Sequence, residues 1–149
     1  MAATVSATGA VTSSKLRFGV ADTSSRMPTL TTALLQRHGD AWTHSIAIND
    51  IYFDFMGPSL AAAGIPGEGK PIAVAAGDGS ESAYQRIRSG QYQAVTVAGP
   101  LNLQGWQLVD ELNRAIRKAD WSGYTSPMHV VTAENIEFDG GPANRFDPE

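Results

Sequence analysis

Short apolar runs and helix-patterned segments alternate along this chain, and that alternation restricts its fold more than any other feature. LRFGVA (16–21), HSIAIN (44–49), PIAVAAG (71–77), AVTVAG (94–99) and MHVVTAEN (128–135) read as strands. After the first of them, Leu30, Ala33, Leu34 and Arg37 recur at helical spacing behind Pro28, a residue tolerated in a first helical turn. The next stretch carries Phe55, Met56, Leu60 and Ala63 and ends at Gly64, a C′ glycine, with Gly57-Pro58 expected to kink or break it. In SESAYQRIRSG, Ser80 can cap a helix whose Ala83 and Ile87 face inward. LNLQGWQLVDELNRAIRKAD aligns Leu101, Gly105, Leu108, Val109, Leu112 and Ile116 along one stripe, expected to be buried, and is the best-patterned helix of the chain. Each parallel connection needs a crossover, so this order predicts an α/β fold: a Rossmann-like three-layer sandwich with a mostly parallel five-stranded sheet and helices on both faces.

The 149 residues amount to about one domain, and 42% hydrophobic residues suffice for a core. Residues 1–15, rich in Ser, Thr, Ala and Gly, are expected to form a flexible leader, 16–137 the α/β lobe, and 138–149 a Gly/Pro-rich tail. The leader lacks the basic and apolar regions of a signal peptide, and no run of about 18 apolar residues is present to span a membrane. With a net charge of −4 and eleven scattered Lys and Arg residues, nucleic acid is not an expected partner. The absence of cysteine excludes thiolate zinc sites, disulfides and thiol catalysis. His38, His44 and His129 have no metal-like spacing, so neither a metal nor a cofactor is expected. GEGK (67–70) resembles part of a phosphate loop but precedes a strand and lacks the leading glycine, which makes it a turn.

Ligands of open parallel sheets bind at the carboxyl ends of the strands. Here those ends carry Asn49 and Asp50, then Asp78, then Gly99 through Asn102. Carboxylates and amides can bridge neighbouring hydroxyls of a polyol, and an aromatic ring such as Tyr52, Phe53 or Trp106 can cover an apolar C–H face. The candidate ligand residues are therefore Asn49, Asp50, Asp78, Asn102 and Tyr52. Asp50 reads equally as a helix N-cap and Asp78, between two glycines, as a turn residue. Trp106 reads as packing next to the helical stripe, and Asp54 as a solvated helix residue.

The succession AIND (47–50), AAAGIPGEGKPIAVAAGDGSESA (61–83), RIRSGQYQAVTVAGPLNLQG (86–105) and VVTAENI (130–136) resembles the second, carboxyl-terminal lobe of type 1 periplasmic binding proteins for ribose, galactose and related sugars. The resemblance covers nearly all of the chain after residue 28. It implies a ligand-binding amide at Asn49 ahead of an acidic residue, and an acid at Asp78 that bonds sugar hydroxyls. Where the family usually ends the next strand in Gln or Asn, this chain has Gly99, so backbone or Asn102 substitutes or the contact is absent. Gln104 and Gly105 match the opening of the following helix, whereas Pro58 departs from the family pattern.

Such proteins close two lobes, joined by three crossings, on a ligand between them. The resemblance thus implies a non-enzymatic half-site for a monosaccharide or small polyol, with VVTAENI as the last hinge crossing, in a fragment of a solute-binding component of an ABC importer. It implies an ABC permease as partner of the full-length protein. It also implies a periplasmic or extracellular location, lipid-anchored in a Gram-positive source. A lone lobe exposes surface that its partner would hide, which makes a homodimer an expectation. The competing readings are the sugar-sensing effector domain of a LacI-type regulator, a flavodoxin-like enzyme or signalling domain, and a stand-alone interaction module of the same fold.

Overall fold

The computed structural model describes residues 19–77 and 79–139. Four strands, β1 (His44–Ala47), β2 (Ile72–Ala75), β3 (Gln93–Ala98) and β4 (His129–Thr132), form one sheet in the order β1-β2-β3-β4. The first three are parallel and β4 runs antiparallel to β3. Five α-helices accompany them: α1 (Thr23–His38), α2 (Ile51–Ala62), α3 (Glu81–Arg88), α4 (Leu101–Ile116) and the short α5 (Ile136–Asp139). The expected α/β class and mostly parallel sheet are therefore observed.

The first expected strand is not among the described elements. Residues 16–18 lie outside the described residues, and Val20–Asp22 form a 3-10 turn that leads into α1. The Thr23 hydroxyl donates to the Val20 carbonyl at 2.7 Å and Ser25 to Asp22 at 3.0 Å, so this polar segment begins a helix instead of ending a strand. As a result α1 starts five residues ahead of Pro28, which sits in the helix interior. The leader and residues 140–149 of the tail lie outside the described residues.

α2 continues through Gly57-Pro58, contrary to the expected break. Proline removes one donor and crowds the preceding turn, but tertiary packing outweighs that. Tyr52, Phe53, Met56 and Leu60 of α2 bury against Ala47, Ala73 and Ala75 of the sheet and against Met27 and Leu34 of α1. The small strand residues let the helix close on the sheet. Gly57 packs beside the Tyr92 ring, where a Cβ would stand at ordinary contact distance, 3.5 Å. The helix ends as expected, with Gly64 at φ +76°, a backbone that L side chains rarely adopt. α3 also matches its reading: Ser80 Oγ accepts from the Ala83 amide at 3.2 Å, and Ala83 and Ile87 are buried. Residues 67–70 form the expected turn, closed by the Gly69 amide donating to Pro66.

Burial alternates along the strands, as one covered face requires. Ser45, Ala47, Ala73, Ala75, Thr96, Ala98 and Val131 are buried on that face, the apolar ones within the two core clusters. On the other face Ile46 and Val130 are 48% and 56% exposed, so the described residues supply one of the two helical layers of such a sandwich. α4 forms over the expected residues but has no substantial packing against any other element among the described residues. Leu101, Leu108, Val109, Leu112 and Ile116 are 59–73% exposed, and Trp106, read as packing, is 58% exposed.

Candidate ligand-binding rim

Three strand ends meet at one edge of the sheet because β1, β2 and β3 are parallel and in close register. A Cβ at Gly77 would lie 2.6 Å from the Ile48 carbonyl, so the chain leaving β2 runs against the chain leaving β1. A Cβ at Gly79 would lie 2.5 Å from Ala98 Cβ and 2.7 Å from Tyr84 Oη, so the same loop runs against the end of β3. Gly99 continues the edge beside Met128 and Gln104. The glycines of AAGDGS thus allow three backbones to approach one another, a requirement distinct from the turn that their sequence suggests.

The Gly79 contact leads to a quantitative expectation. Gly79 has φ +68° and two close neighbours, whereas Gly64 has φ +76° and nothing within 4 Å of where a Cβ would stand. Gly64→Ala should carry only the left-handed strain of about 1–2 kcal/mol. Gly79→Ala should add overpacking and lose at least about 3 kcal/mol in urea denaturation. Equal losses in the two variants would mean that the rim is not closely packed.

Asn49 stands at the end of β1, half-buried, with Oδ1 accepting from the Ile51 amide at 3.0 Å. Its side-chain NH2 makes no hydrogen bond among the described residues. Asp78 lies outside the described residues, although Gly77 and Gly79 on either side of it are within the rim. Asn102 is exposed in the first turn of α4 and makes no hydrogen bond among the described residues.

Two other candidates are drawn inward. Tyr52 is 3% exposed and Phe53 2%, both in the core under α2, so neither ring faces a ligand at the rim. Their positions follow from helix geometry, because the α2 stripe that covers the sheet runs through 52, 53, 56 and 60. Asp50 is fully buried and occupies the N-cap position of α2 without capping it through its side chain. Its Oδ2 accepts from the amides of Gly79 and Ser80 at 2.9 and 3.1 Å and from the Thr96 hydroxyl at 3.0 Å. Its Oδ1 accepts from Gln93 Nε2 at 2.7 Å. Asp50 is therefore neither a solvent-facing ligand group nor a simple cap.

Gln93, Thr96 and Arg86 belong to this cluster and were not singled out from the sequence. Arg86 donates from Nε and Nη2 to Gln93 Oε1 at 3.0 and 2.8 Å, and pairs through Nη1 with Asp54. Asp54 is thus ion-paired rather than merely solvated, and it also accepts from the Ser82 hydroxyl at 2.8 Å. A Gln and a Thr within a buried strand were the available signal, since buried polar side chains need partners. Strict alternation hides it, because residues three apart should face opposite sides. A register shift between Ala73 and Val74 puts Gln93 and Thr96 on the same covered face.

A separate cleft of about 530 Å³ opens at the amino-terminal ends of the strands, lined by Leu35, Trp42, Ile65, Pro66 and Pro71 among others. Asp40 and Lys70 also line it, and it lies at the opposite ends of the strands from the edge where ligands of open parallel sheets bind.

No family model matches the sequence, and no curated protein matches it. Solved structures do. A periplasmic ribose ABC transporter protein from Conexibacter woesei is 26% identical, with a TM-score of 0.62 over 80% of this chain and 40% of that one. An ABC transporter solute-binding protein from Agrobacterium vitis, bound with α-D-tagatopyranose, is 16% identical, with a TM-score of 0.69 over 89% of this chain and 43% of that one. Another from the same organism, with bound D-fucose, is 22% identical, with a TM-score of 0.65 over 76% and 38%. The chain spans about two fifths of the length of each of these structures.

Proposed function

We propose, from a chain that has the fold of one lobe of a type 1 periplasmic sugar-binding protein, that its rim supplies one wall of a monosaccharide or small-polyol site in the solute-binding component of an ABC importer. The observation that carries this reading is Asn49. It sits at the convergence of three strand ends with its carbonyl held by Ile51 and its NH2 group left to donate. Asp78, between Gly77 and Gly79, is the acid we assign to the same wall, and Asn102 the substitute for the amide missing at Gly99.

The other wall belongs to a second lobe. The solved neighbours are more than twice as long as their matched part, and the exposed stripe of α4 is a surface that further structure would cover. In this reading the segment around VVTAENI crosses between lobes, the lobe is the carboxyl-terminal one, and the assembled protein meets an ABC permease outside the cytoplasmic membrane. The role is binding without catalysis. No described helix is long and apolar enough to cross a membrane.

An NMR titration of this chain with D-ribose, D-fucose, D-tagatose and allitol tests the reading. Shifts should concentrate at the Asn49 side chain and at Gly77, Gly79 and Gly99. One wall makes only part of the contacts of a closed site, so affinity should be in the millimolar range, about −4 kcal/mol. Asn49→Ala should weaken it about fivefold, the worth of one hydrogen bond. Micromolar binding by the monomer, or shifts confined to the cleft at Leu35 and Trp42, would overturn the proposal.

A further inference from the structure

We propose that Asp50 is a positioning residue of the rim, a buried carboxylate that ties the Asn49 turn to the Gly79–Ser80 turn and both to β3. The significance for ligand binding rests on the sugar-wall reading above, while the geometry is independent of it. Oδ2 receives three donors, from Gly79, Ser80 and Thr96. Oδ1 receives the fourth, from Gln93. These donors come from two segments other than its own, so one side chain joins the turns that follow β1 and β2 to each other and to the body of β3.

The direction of the network is determined. Gln93 Oε1 accepts twice from Arg86, which obliges its NH2 group to face Asp50. Donation therefore runs from Arg86 to Gln93 to Asp50 and must end on a group that only accepts. A carboxylate does this with both oxygens, whereas an amide has one oxygen and one NH2. An amide at position 50 either turns NH2 toward the Gly79 and Ser80 amides or turns it toward the NH2 of Gln93. Both choices oppose donors in a buried site, where unmet donors are costly.

This logic identifies a compensating change. In Asp50→Asn/Gln93→Glu the carboxylate moves across the same contact: the introduced glutamate accepts from Arg86 and from the new amide, whose oxygen is then available to Gly79, Ser80 and Thr96. Compensation is incomplete, because Gln93 Nε2 also donates to the Val95 carbonyl at 3.2 Å and a glutamate cannot.

Amide hydrogen exchange on the 149-residue chain tests the proposal. In Asp50→Asn the Gly79 and Ser80 amides should exchange about tenfold faster, with amides of α1 and α2 around Leu34 and Leu60 unchanged. In the double variant they should return to within about threefold of the wild type. Should Asp50→Asn not fold, recovery of folding by Gln93→Glu is the same result. Unchanged exchange at Gly79 and Ser80 in Asp50→Asn, or a double variant no better than the single one, would refute the assignment. A D-ribose titration provides the readout that a purely structural residue would not move: the Asn49 side-chain response should be lost in folded Asp50→Asn and regained in the double variant. If the wild type responds to none of D-ribose, D-fucose and D-tagatose, the sugar reading fails, and the exchange data still decide the role of Asp50.

Discussion

Trp42→Ala is expected to remove about 3–5 kcal/mol of stability, the usual range for deleting a buried aromatic side chain. Trp42 is 1% exposed and packs with Ala47, Phe53, Met56 and Leu60 in the larger of the two core clusters. Its Nε1 donates to Ser45 Oγ at 3.0 Å, so deletion also takes a partner from a buried hydroxyl. The ring forms part of the wall of the cleft at the amino-terminal ends of the strands, and its loss would join that cleft to the core. Domains of this size are stable by about 5–15 kcal/mol, and a sheet with one open face belongs at the low end of that range. Urea denaturation followed by circular dichroism should show Trp42→Ala largely unfolded in dilute buffer. Trp42→Phe, which keeps most of the apolar volume but not the hydrogen bond, should lose about 1–2 kcal/mol. Trp106 and Trp121 are both exposed, so the blue-shifted part of the fluorescence should vanish with Trp42. A loss below about 1 kcal/mol in Trp42→Ala would show that this cluster is not the structural centre of the lobe.

The second large effect concerns mass in solution. For the chain on its own, the occupant we propose for the exposed stripe of α4 is a second copy. Leu101, Leu108, Val109, Leu112 and Ile116 form an apolar strip along the helix, while Asp110 and Arg114 pair at 2.7 Å elsewhere on it. Ile46, Ile48 and Val130 add exposed apolar surface on and beside the open face of the sheet. Burying a side chain of this kind removes on the order of 100 Å² from water. The two patches together therefore approach the roughly 800 Å² that each partner of a standard interface buries. A two-fold arrangement lets each copy use both patches. Light scattering should move from 15.8 kDa toward twice that mass as concentration rises. Leu108→Glu/Leu112→Glu should hold the mass at the lower value, with the helical signal unchanged. A wild-type mass constant at 15.8 kDa would end the dimer proposal.

Local pattern and tertiary structure divided the determination of this protein along a physical line. Strands β1, β2 and β3, helix α3 with its Ser80 cap, the Gly64 terminus of α2 and the place of Asn49 at a strand end were all legible, because each depends on a periodicity of 2 or 3.6 residues or on a residue that satisfies its own neighbours. The leading segment differs from its reading where the described residues begin: Val20 and Ala21 are as apolar as a strand, but the Thr23 and Ser25 hydroxyls bond back to the Val20 and Asp22 carbonyls as a helix starts. Pro58 read as a break because its cost is local, while the burial of Met56 and Leu60 that offsets it is not. Asp50 was undetermined in principle, since a cap, a ligand group and a buried acceptor look alike until residues 79, 80, 93 and 96 arrive from elsewhere in the chain. The register shift that brings Gln93 and Thr96 to one face exists only in the pairing of β2 with β3. α4 marks the same boundary from the other side. Its sequence requires that the Leu108–Leu112 stripe be covered, but amphipathicity is a property of one helix, and what covers that stripe is a property of two surfaces.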